Sequence, residues 1–503
     1  MKTAWVKNSV NFLVAAVLSM VSVSDSSASP TRAATPHPEV HEKPNFIVIL
    51  TDDLDAKSIE LMPNLNALLT KQGAAFSNYF VTSSLCCPSR ASLLRGQYPH
   101  NHQVLTNAKP EGGFERFHAL GEEQSTMATW LQAAGYRTAL LGKYLNEYPG
   151  KQSLYVPPGW DEWYALMDHR AAFFDYRLNE NGHAVSYGHD ANAYETDVLA
   201  AKTVDFIART VASGKQPFFI YLAPSAPHLP ATPAPRHEKD FLNATAPRTP
   251  AFNESDLSGK PAWVRERPPL SVAEIAEIDR VYRRRLQSML AVDEMIKKIV
   301  AALQTHGLLN QTYIFFTSDN GFHLGEHRLT VGKDTAYEED IHVPLIVRGP
   351  GIPAGRTLQH LTLNIDLAPT LAELAGVSAP NFVDGRSLGP LLKASPAPHG
   401  WREDFLVEYW PQSRPTRKSP RYPAYQALRT KGYLYVEHAT GEEELYDLRV
   451  DPHELHNIAA AAPNLVARLS KRLGLLEHCA GANCRQESPD DYLEKRSCCH
   501  ASR

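Results

Sequence analysis

After its first thirty residues this 503-residue chain has no apolar run long enough for a membrane helix. It also lacks charge of one sign. Its 51 Lys and Arg against 55 Asp and Glu leave a net charge of only −4. That excludes the basic footprint of a nucleic-acid binder, and an anionic substrate must be met by local cations. Cysteine is scarce, with six residues in all, too few for a fold built on disulfides at this length. No internal repeat is evident. What remains, 43% hydrophobic and 21% charged residues, is the ordinary make-up of a globular enzyme. The length suits one large domain with a smaller one.

The N-terminus reads as an export signal. Lys2 and Lys7 precede an apolar stretch at 12–23, and Ser26 and Ala28 supply small residues at the cleavage spacing. Residues 1–28 are therefore expected to be a signal peptide and 29–43, rich in Pro, Ser, Thr and Ala, a linker. The expected destination is secreted, periplasmic or lysosomal, with no membrane span and no nucleic-acid partner. Cys479 and Cys484 flank a short loop containing Gly481 and are expected to form a disulfide, while Cys498 and Cys499 in the 479–503 tail have no assignment. Sequons at Asn243, Asn253 and Asn310 would carry glycans in a eukaryotic secretory pathway.

Continuous apolar runs at 46–50, 138–141, 218–222 and 313–316 suit strands buried on both faces of a parallel sheet. Helical patterns at 126–134 and 272–305 lie between them. The alternation predicts an α/β fold with a mostly parallel sheet flanked by helices, spanning residues 44–380. A smaller C-terminal α+β domain is expected over 381–478, with strands at 405–409 and 433–437 and a helix at 464–476. The proline-rich segment 229–269 reads as a surface excursion.

Ligands of open parallel sheets bind beyond the carboxyl ends of the strands, so the residues after each run matter most. The first run is followed by Asp52 and Asp53, the second by Lys143, the third by Pro227 and His228, and the fourth by Asp319, Asn320 and Gly321. Three carboxylates and an amide oxygen make a hard oxygen cage, suited to Ca²⁺ or Mg²⁺ and not to zinc. Asp-Asp and Asp-Asn-Gly are also common turn sequences. Their coincidence at two strand ends is what points to a site.

The sharpest pattern is Cys86-Cys87-Pro88-Ser89-Arg90, continuing Ala91-Ser92-Leu93-Leu94-Arg95-Gly96. Pro88 fits the first turn of a helix. Cys86 is thereby set just before a helix N-terminus, where negative charge is favoured, and Arg90 one turn on faces the same side. Cys-x-Pro-Ser-Arg resembles the signature of the sulfatase family. So do Thr51-Asp52-Asp53, Gly142-Lys143, Ser318-Asp319-Asn320-Gly321, the 364–370 run NIDLAPT and Leu445-Tyr446-Asp447-Leu448 with Asp451-Pro452. The resemblance runs along nearly the whole chain after the signal and implies an alkaline-phosphatase-like fold. Gly142-Lys143-Tyr144-Leu145-Asn146-Glu147-Tyr148, Gly159-Trp160 and Tyr282-Arg283-Arg284-Arg285 are similar to the glucosamine-6-sulfatase branch.

The resemblance implies that Cys86 is converted to formylglycine (3-oxoalanine) by a separate generating enzyme. The hydrated aldehyde then attacks sulfur, and the re-formed aldehyde releases sulfate. It implies one Ca²⁺, with Mg²⁺ as the other candidate, on Asp52, Asp53, Asp319, Asn320 and the modified Cys86. It gives Arg90 a positioning role and assigns the sulfate oxygens to Lys143, Lys333 and His228, with His228 the candidate general acid. The implied substrate is a 6-O-sulfate on N-acetylglucosamine, with small aryl sulfates as the alternative. One position departs from the common pattern. Where many sulfatases have a histidine two residues after the lysine, this chain has Leu145, then Asn146. Asn146 and His327 are further candidates for contact with substrate.

Overall fold

The computed structural model describes residues 43–167, 173–214, 216–393, 400–413 and 422–486. The expected signal peptide, the linker up to residue 42, and Cys498 and Cys499 lie outside the described residues.

Four strands carry the argument: β1 (Asn45–Thr51), β2 (Arg137–Gly142), β3 (Phe218–Ala223) and β4 (Thr312–Ser318). They pair in the order β4-β1-β3-β2, all parallel, at the centre of a ten-stranded sheet. Alternate residues of β1 serve opposite cores. Phe46, Val48 and Leu50 pack on one face, and Ile47 and Ile49 on the other. Both faces are dry, which is why the run is continuously apolar instead of alternating. Towards the edges the sheet turns antiparallel, through Leu345–Arg348 beside β4 and the hairpin Tyr176–Glu180 with His183–Tyr187. The expected parallel character thus holds for the centre, and the whole sheet is mixed.

Helix α1 (Cys86–Arg95) is buried along its entire length. On the other face lie α2 (Glu195–Ala212) and the 34-residue α3 (Val272–Thr305). The latter opens with a capping box in which Ser271 and Glu274 satisfy one another's backbone N–H. A separate four-stranded antiparallel sheet follows, from Asp404–Tyr409, Tyr425–Thr430, Tyr433–His438 and Glu443–Asp447. Helix α4 (Pro463–Leu476) packs on it, and Arg472 holds Asp404 at 2.9 Å. No described helix is long and apolar enough to cross a membrane.

The segment 229–269 runs over the surface as its prolines suggest, but it is pinned down at buried points. Ala231, Ala234, Ala246, Ala251, Leu257 and Val264 are all buried. The Lys260 ammonium reaches the Tyr446 hydroxyl at 3.1 Å in the small sheet. Small alanine side chains and backbone bonds, such as His327 N to the Ala251 carbonyl at 2.8 Å, pack this segment without a visible periodicity.

Cys479 and Cys484 are disulfide-bonded as expected. Asn243 and Asn310 are exposed. Asn253 is half-buried, with its amide oxygen accepting from Leu270 N at 2.7 Å, so its side chain is engaged.

Candidate active site

The carboxyl ends of β1, β2, β3 and β4 meet the start of α1 at one point. Cys86 opens α1 and is sealed from solvent except for 1% of its surface. Its Sγ lies 3.7 Å from Asp52 Oδ1, 3.9 Å from Asp53 Oδ1 and 2.6 Å from Lys333 Nζ. The Lys143 ammonium grips both oxygens of Asp52, at 2.9 and 2.7 Å. That of Lys333 pairs with Asp53. Asn320 Nδ2 donates to Asp53 Oδ1 at 2.8 Å, and Asp53 N donates to Asp319 Oδ1 at 2.9 Å. Arg90 Nε meets Asp319 Oδ2 at 2.8 Å, and its NH1 donates to the Lys143 carbonyl at 3.0 Å. His228 Nε2 stands 3.7 Å from Asp53 Oδ2, while its Nδ1 faces the Leu229 carbonyl at 2.6 Å.

Asp53 holds a left-handed backbone at φ 67, unusual for a residue with a side chain. Its carbonyl is clamped by Arg285, which is buried and also donates to the Pro227 carbonyl at 3.3 Å. One arginine on α3 therefore ties the Asp53 turn to the loop that presents His228. Ser89 Oγ donates to the Asp319 carbonyl, and Asn364 Nδ2 donates to Ser89 Oγ at 3.0 Å. Arg285, Ser89 and Asn364 are supports that stand inside the quoted motifs, which give them no role of their own. Arg285 is the only one of three consecutive arginines that is buried.

The electrostatics are set by burial against close opposite charge. Burial alone would raise the Asp52 carboxyl, but Lys143, His228, Arg90 and Lys333 overcome it and hold the group far below its usual range. Asp53 is likewise depressed despite burial, chiefly by Lys333 and His228. Asp319 goes the other way, raised by burial and by anionic Asp52 and Asp53 in spite of Arg90. Burial pushes the Cys86 thiol up to about 12, with Lys143 and Lys333 only partly opposing it. An unmodified Cys86 is therefore a protonated thiol and a poor nucleophile at neutral pH.

Three carboxylates and a carboxamide converge here, and Asp319 bears the strain of two like charges. A divalent cation would relieve that strain, and the oxygen-rich set fits a hard ion. Ligand atoms of Asp52, Asp53, Cys86 and His228 lie within 4.8 Å of one another. Asp53, His228 and Lys333 also floor a cavity of about 850 Å³, walled by Trp263, Trp410 and Tyr422.

Two candidates are not among the residues that line the cavity. His327 is fully buried, its Nδ1 bonded to Glu254 at 2.7 Å and its ring 4.2 Å from that of Tyr337. It belongs to a polar cluster with Glu339 and Glu454 and is not among the residues that line the cavity. The positive φ of 52 at His327 turns the loop inwards, which the motif alone does not reveal. Asn146 is half-buried, and its carbonyl accepts from Phe114 N at 2.7 Å. It too is not among the cavity walls, where Asn107 is found instead.

The sulfatase family profile matches residues 44–377. The chain is a member of the sulfatase family. A second profile, the C-terminal region of N-sulphoglucosamine sulphohydrolase, matches residues 325–478 of this sulfatase. Among curated relatives, human N-acetylglucosamine-6-sulfatase is 38% identical over 479 residues, covering 88% of this chain and 86% of the relative. An arylsulfatase of Volvox carteri is 36% identical over 497 residues, covering 88% and 76%. A solved protein in complex with its substrate D-glucosamine-2-N,6-O-disulfate superposes with a TM-score of 0.75 at 26% identity, covering 90% of this chain and all of that one. The sulfatase is thus a sulfuric ester hydrolase with the alkaline-phosphatase-like fold of its relatives.

Proposed function

We propose that this sulfatase removes the 6-O-sulfate from N-acetylglucosamine units of sulfated glycans, using formylglycine made from Cys86. The observation that carries the reading is the gathering of Asp52, Asp53, Lys143, Lys333 and His228 around the Cys86 sulfur, with Asp53, Lys333 and His228 reaching the cavity. In its aldehyde form Cys86 supplies a hydrated nucleophile that can expel sulfate by re-forming the carbonyl, which no plain thiol can do. Asp52, Asp53, Asp319, Asn320 and the modified Cys86 would hold a Ca²⁺, with Mg²⁺ as the alternative ion, and the ion would supply Lewis acidity.

The chain's own side chains supply the rest. The ammonium groups of Lys143 and Lys333 flank the reacting atom and would bind sulfate oxygens as fixed charge. His228 Nδ1 is held by the Leu229 carbonyl, which orients Nε2 towards the floor. As an imidazolium it would give its Nε2 proton to the departing sugar oxygen. Arg90 acts through Asp319 and the Lys143 carbonyl, positioning both without touching substrate. The aromatic walls and the cavity volume of about 850 Å³ suit a sugar ring. The sugar reading rests on the N-acetylglucosamine-6-sulfatase relatives, and the Volvox arylsulfatase supports the aryl alternative.

Export by residues 1–28 and maturation by a formylglycine-generating enzyme are parts of the same proposal. The test is sulfate release by protein from a host that carries that enzyme. N-acetylglucosamine 6-sulfate should be cleaved with a higher kcat/KM than 4-nitrophenyl sulfate. Cleavage of the aryl ester alone would sink the sugar reading.

A further inference from the structure

We propose that Asp334 is a substrate-recognition residue. Its carboxylate would accept a hydrogen bond from the ring hydroxyl nearest the sulfated carbon, the C4 hydroxyl of a 6-sulfated hexosamine. This inference rests on the sugar reading above and adds to it the residue that reads the ring.

Asp334 follows Lys333, whose ammonium lies 2.6 Å from Cys86 Sγ, so it stands one residue from the sulfate position. It lines the same cavity. Its side chain is buried, with the residue only 6% exposed, and Oδ1 has no hydrogen-bond partner among the described residues. A buried carboxylate oxygen left without a donor costs free energy comparable to a lost charged hydrogen bond. Most buried polar groups avoid that cost by pairing. The neighbouring acid Asp340 shows the contrast, since it is satisfied by Thr335 N at 3.0 Å and Thr335 Oγ1 at 2.7 Å.

Asp334 also carries a backbone φ of 84, a conformation that side chains rarely adopt. A strained backbone and an orphaned acceptor, in a residue that lines a ligand cavity, are paired costs that a bound donor would offset. Burial, with Asp340 and Asp53 nearby and Lys333 opposing, pushes the carboxyl up to about 7. A donor from substrate would stabilise its anion. On the same wall Tyr409 and Tyr422 lie close enough to feel its charge.

The chemistry also implies a rejection. Sugar hydroxyls are donors, whereas a second sulfate is an anion with acceptors only. A carboxylate at this point would welcome a free C4 hydroxyl and repel a sulfated one. The lysines on one side and Asp334 on the other would admit one sulfate in one orientation.

The experiment compares wild type with Asp334→Asn and Asp334→Ala on N-acetylglucosamine 6-sulfate, its 4-deoxy analogue, its 4,6-disulfate and 4-nitrophenyl sulfate. Asparagine tolerates the positive φ and keeps the shape, so folding is spared. Expected is a fall in kcat/KM of roughly 10- to 100-fold on the 6-sulfate, with less than threefold change on the aryl ester. Wild type should lose a similar factor on the 4-deoxy analogue, and the variants should lose nothing further there. The 4,6-disulfate should be cleaved better by Asp334→Asn, relative to the 6-sulfate, than by wild type. Full activity of Asp334→Asn on the 6-sulfate, or an equal loss on sugar and aryl esters, would overturn the assignment. A wild-type enzyme inert towards every sugar sulfate but active on the aryl ester would instead overturn the substrate reading beneath it.

Discussion

Arg90 Nε lies 2.8 Å from Asp319 Oδ2, and neither side chain meets solvent. The same guanidinium reaches the Lys143 carbonyl at 3.0 Å and stands 3.7 Å from Asp52. Removing one partner of a buried ion pair strands the other charge, at a cost of about 3–5 kcal/mol. Arg90→Ala should therefore lose both activity and several kcal/mol of stability in a urea titration. An unchanged urea midpoint would show that Arg90 is not what holds Asp319.

Cys86→Ala should have no measurable turnover while keeping the wild-type urea midpoint to within about 1 kcal/mol, since only one sulfur is lost. Cys87→Ala should retain most activity, because its bond at the site, to Asn107 Oδ1 at 2.8 Å, comes from backbone N–H. Mass spectrometry of the Cys86 peptide should find it about 18 Da lighter than cysteine in active enzyme and unshifted in inactive enzyme. Turnover by Cys86→Ala would end the covalent mechanism.

Asp53→Asn should bind the catalytic cation at least 10-fold more weakly, because a formal ligand charge is lost from a buried cage. Chelation of the wild type should abolish activity, and Ca²⁺ should restore it. Metal analysis of the purified protein checks both. A variant that kept its ion and its rate would remove Asp53 from the ligand set.

Glu195 lies beneath the Ser225–His228 turn, its Oε1 accepting from Ser225 N at 3.0 Å. Burial pushes its carboxyl up to about 7 from 4.5 despite those donors. A raised acid binds its proton more tightly in the folded chain. Stability therefore falls as pH rises from about 4.5 to about 7, and is level above that. Glu195→Gln keeps the acceptor without the charge. It should be more stable than wild type at pH 8 by about 2–3 kcal/mol and no more stable at pH 4. Equal stabilities at pH 8 would refute the assignment.

The Cys479–Cys484 bridge closes a loop against the catalytic body. The Cys479 carbonyl accepts from His100 Nε2 at 2.9 Å and Asn101 Nδ2 at 3.0 Å, and Gly481 N donates to Asp384 at 2.7 Å. Replacing both cysteines with serine should cost about 2 kcal/mol, the closure entropy of so short a loop, with kcat unchanged. A comparable drop in kcat would mean that this loop reaches the active site.

Much of the floor of the site was legible because strand-end residues follow apolar runs whose meaning is unambiguous. Asp52, Lys143 and Asp319 each sit directly beyond a buried strand, and His228 on the turn after another, where parallel sheets put their chemistry. The C-terminal strands and α4 were legible for the same reason, local periodicity. The surroundings of His327 were not legible, because a two-residue turn with positive φ buries its ring against Tyr337 and Glu254, and nothing in Gly325-Glu326-His327 encodes that choice locally. The anchor points of segment 229–269 were not legible because their burial comes from alanine and backbone contacts with distant partners. Arg285 was hidden among three consecutive arginines, since only the rotation of α3 selects the one that reaches Asp53.

The floor and the walls of the cavity come from different parts of the chain. Asp53 hangs from the end of β1 and His228 from the turn after β3, while Trp263 rises from the 229–269 segment, Trp410 follows the first strand of the small sheet and Tyr422 precedes the second. Replacing a wall leaves every strand end where it was. A lineage can therefore retune which sugar it accepts by drift in loops that pay no penalty in the reaction, and a designer can graft new walls onto an inherited reaction centre.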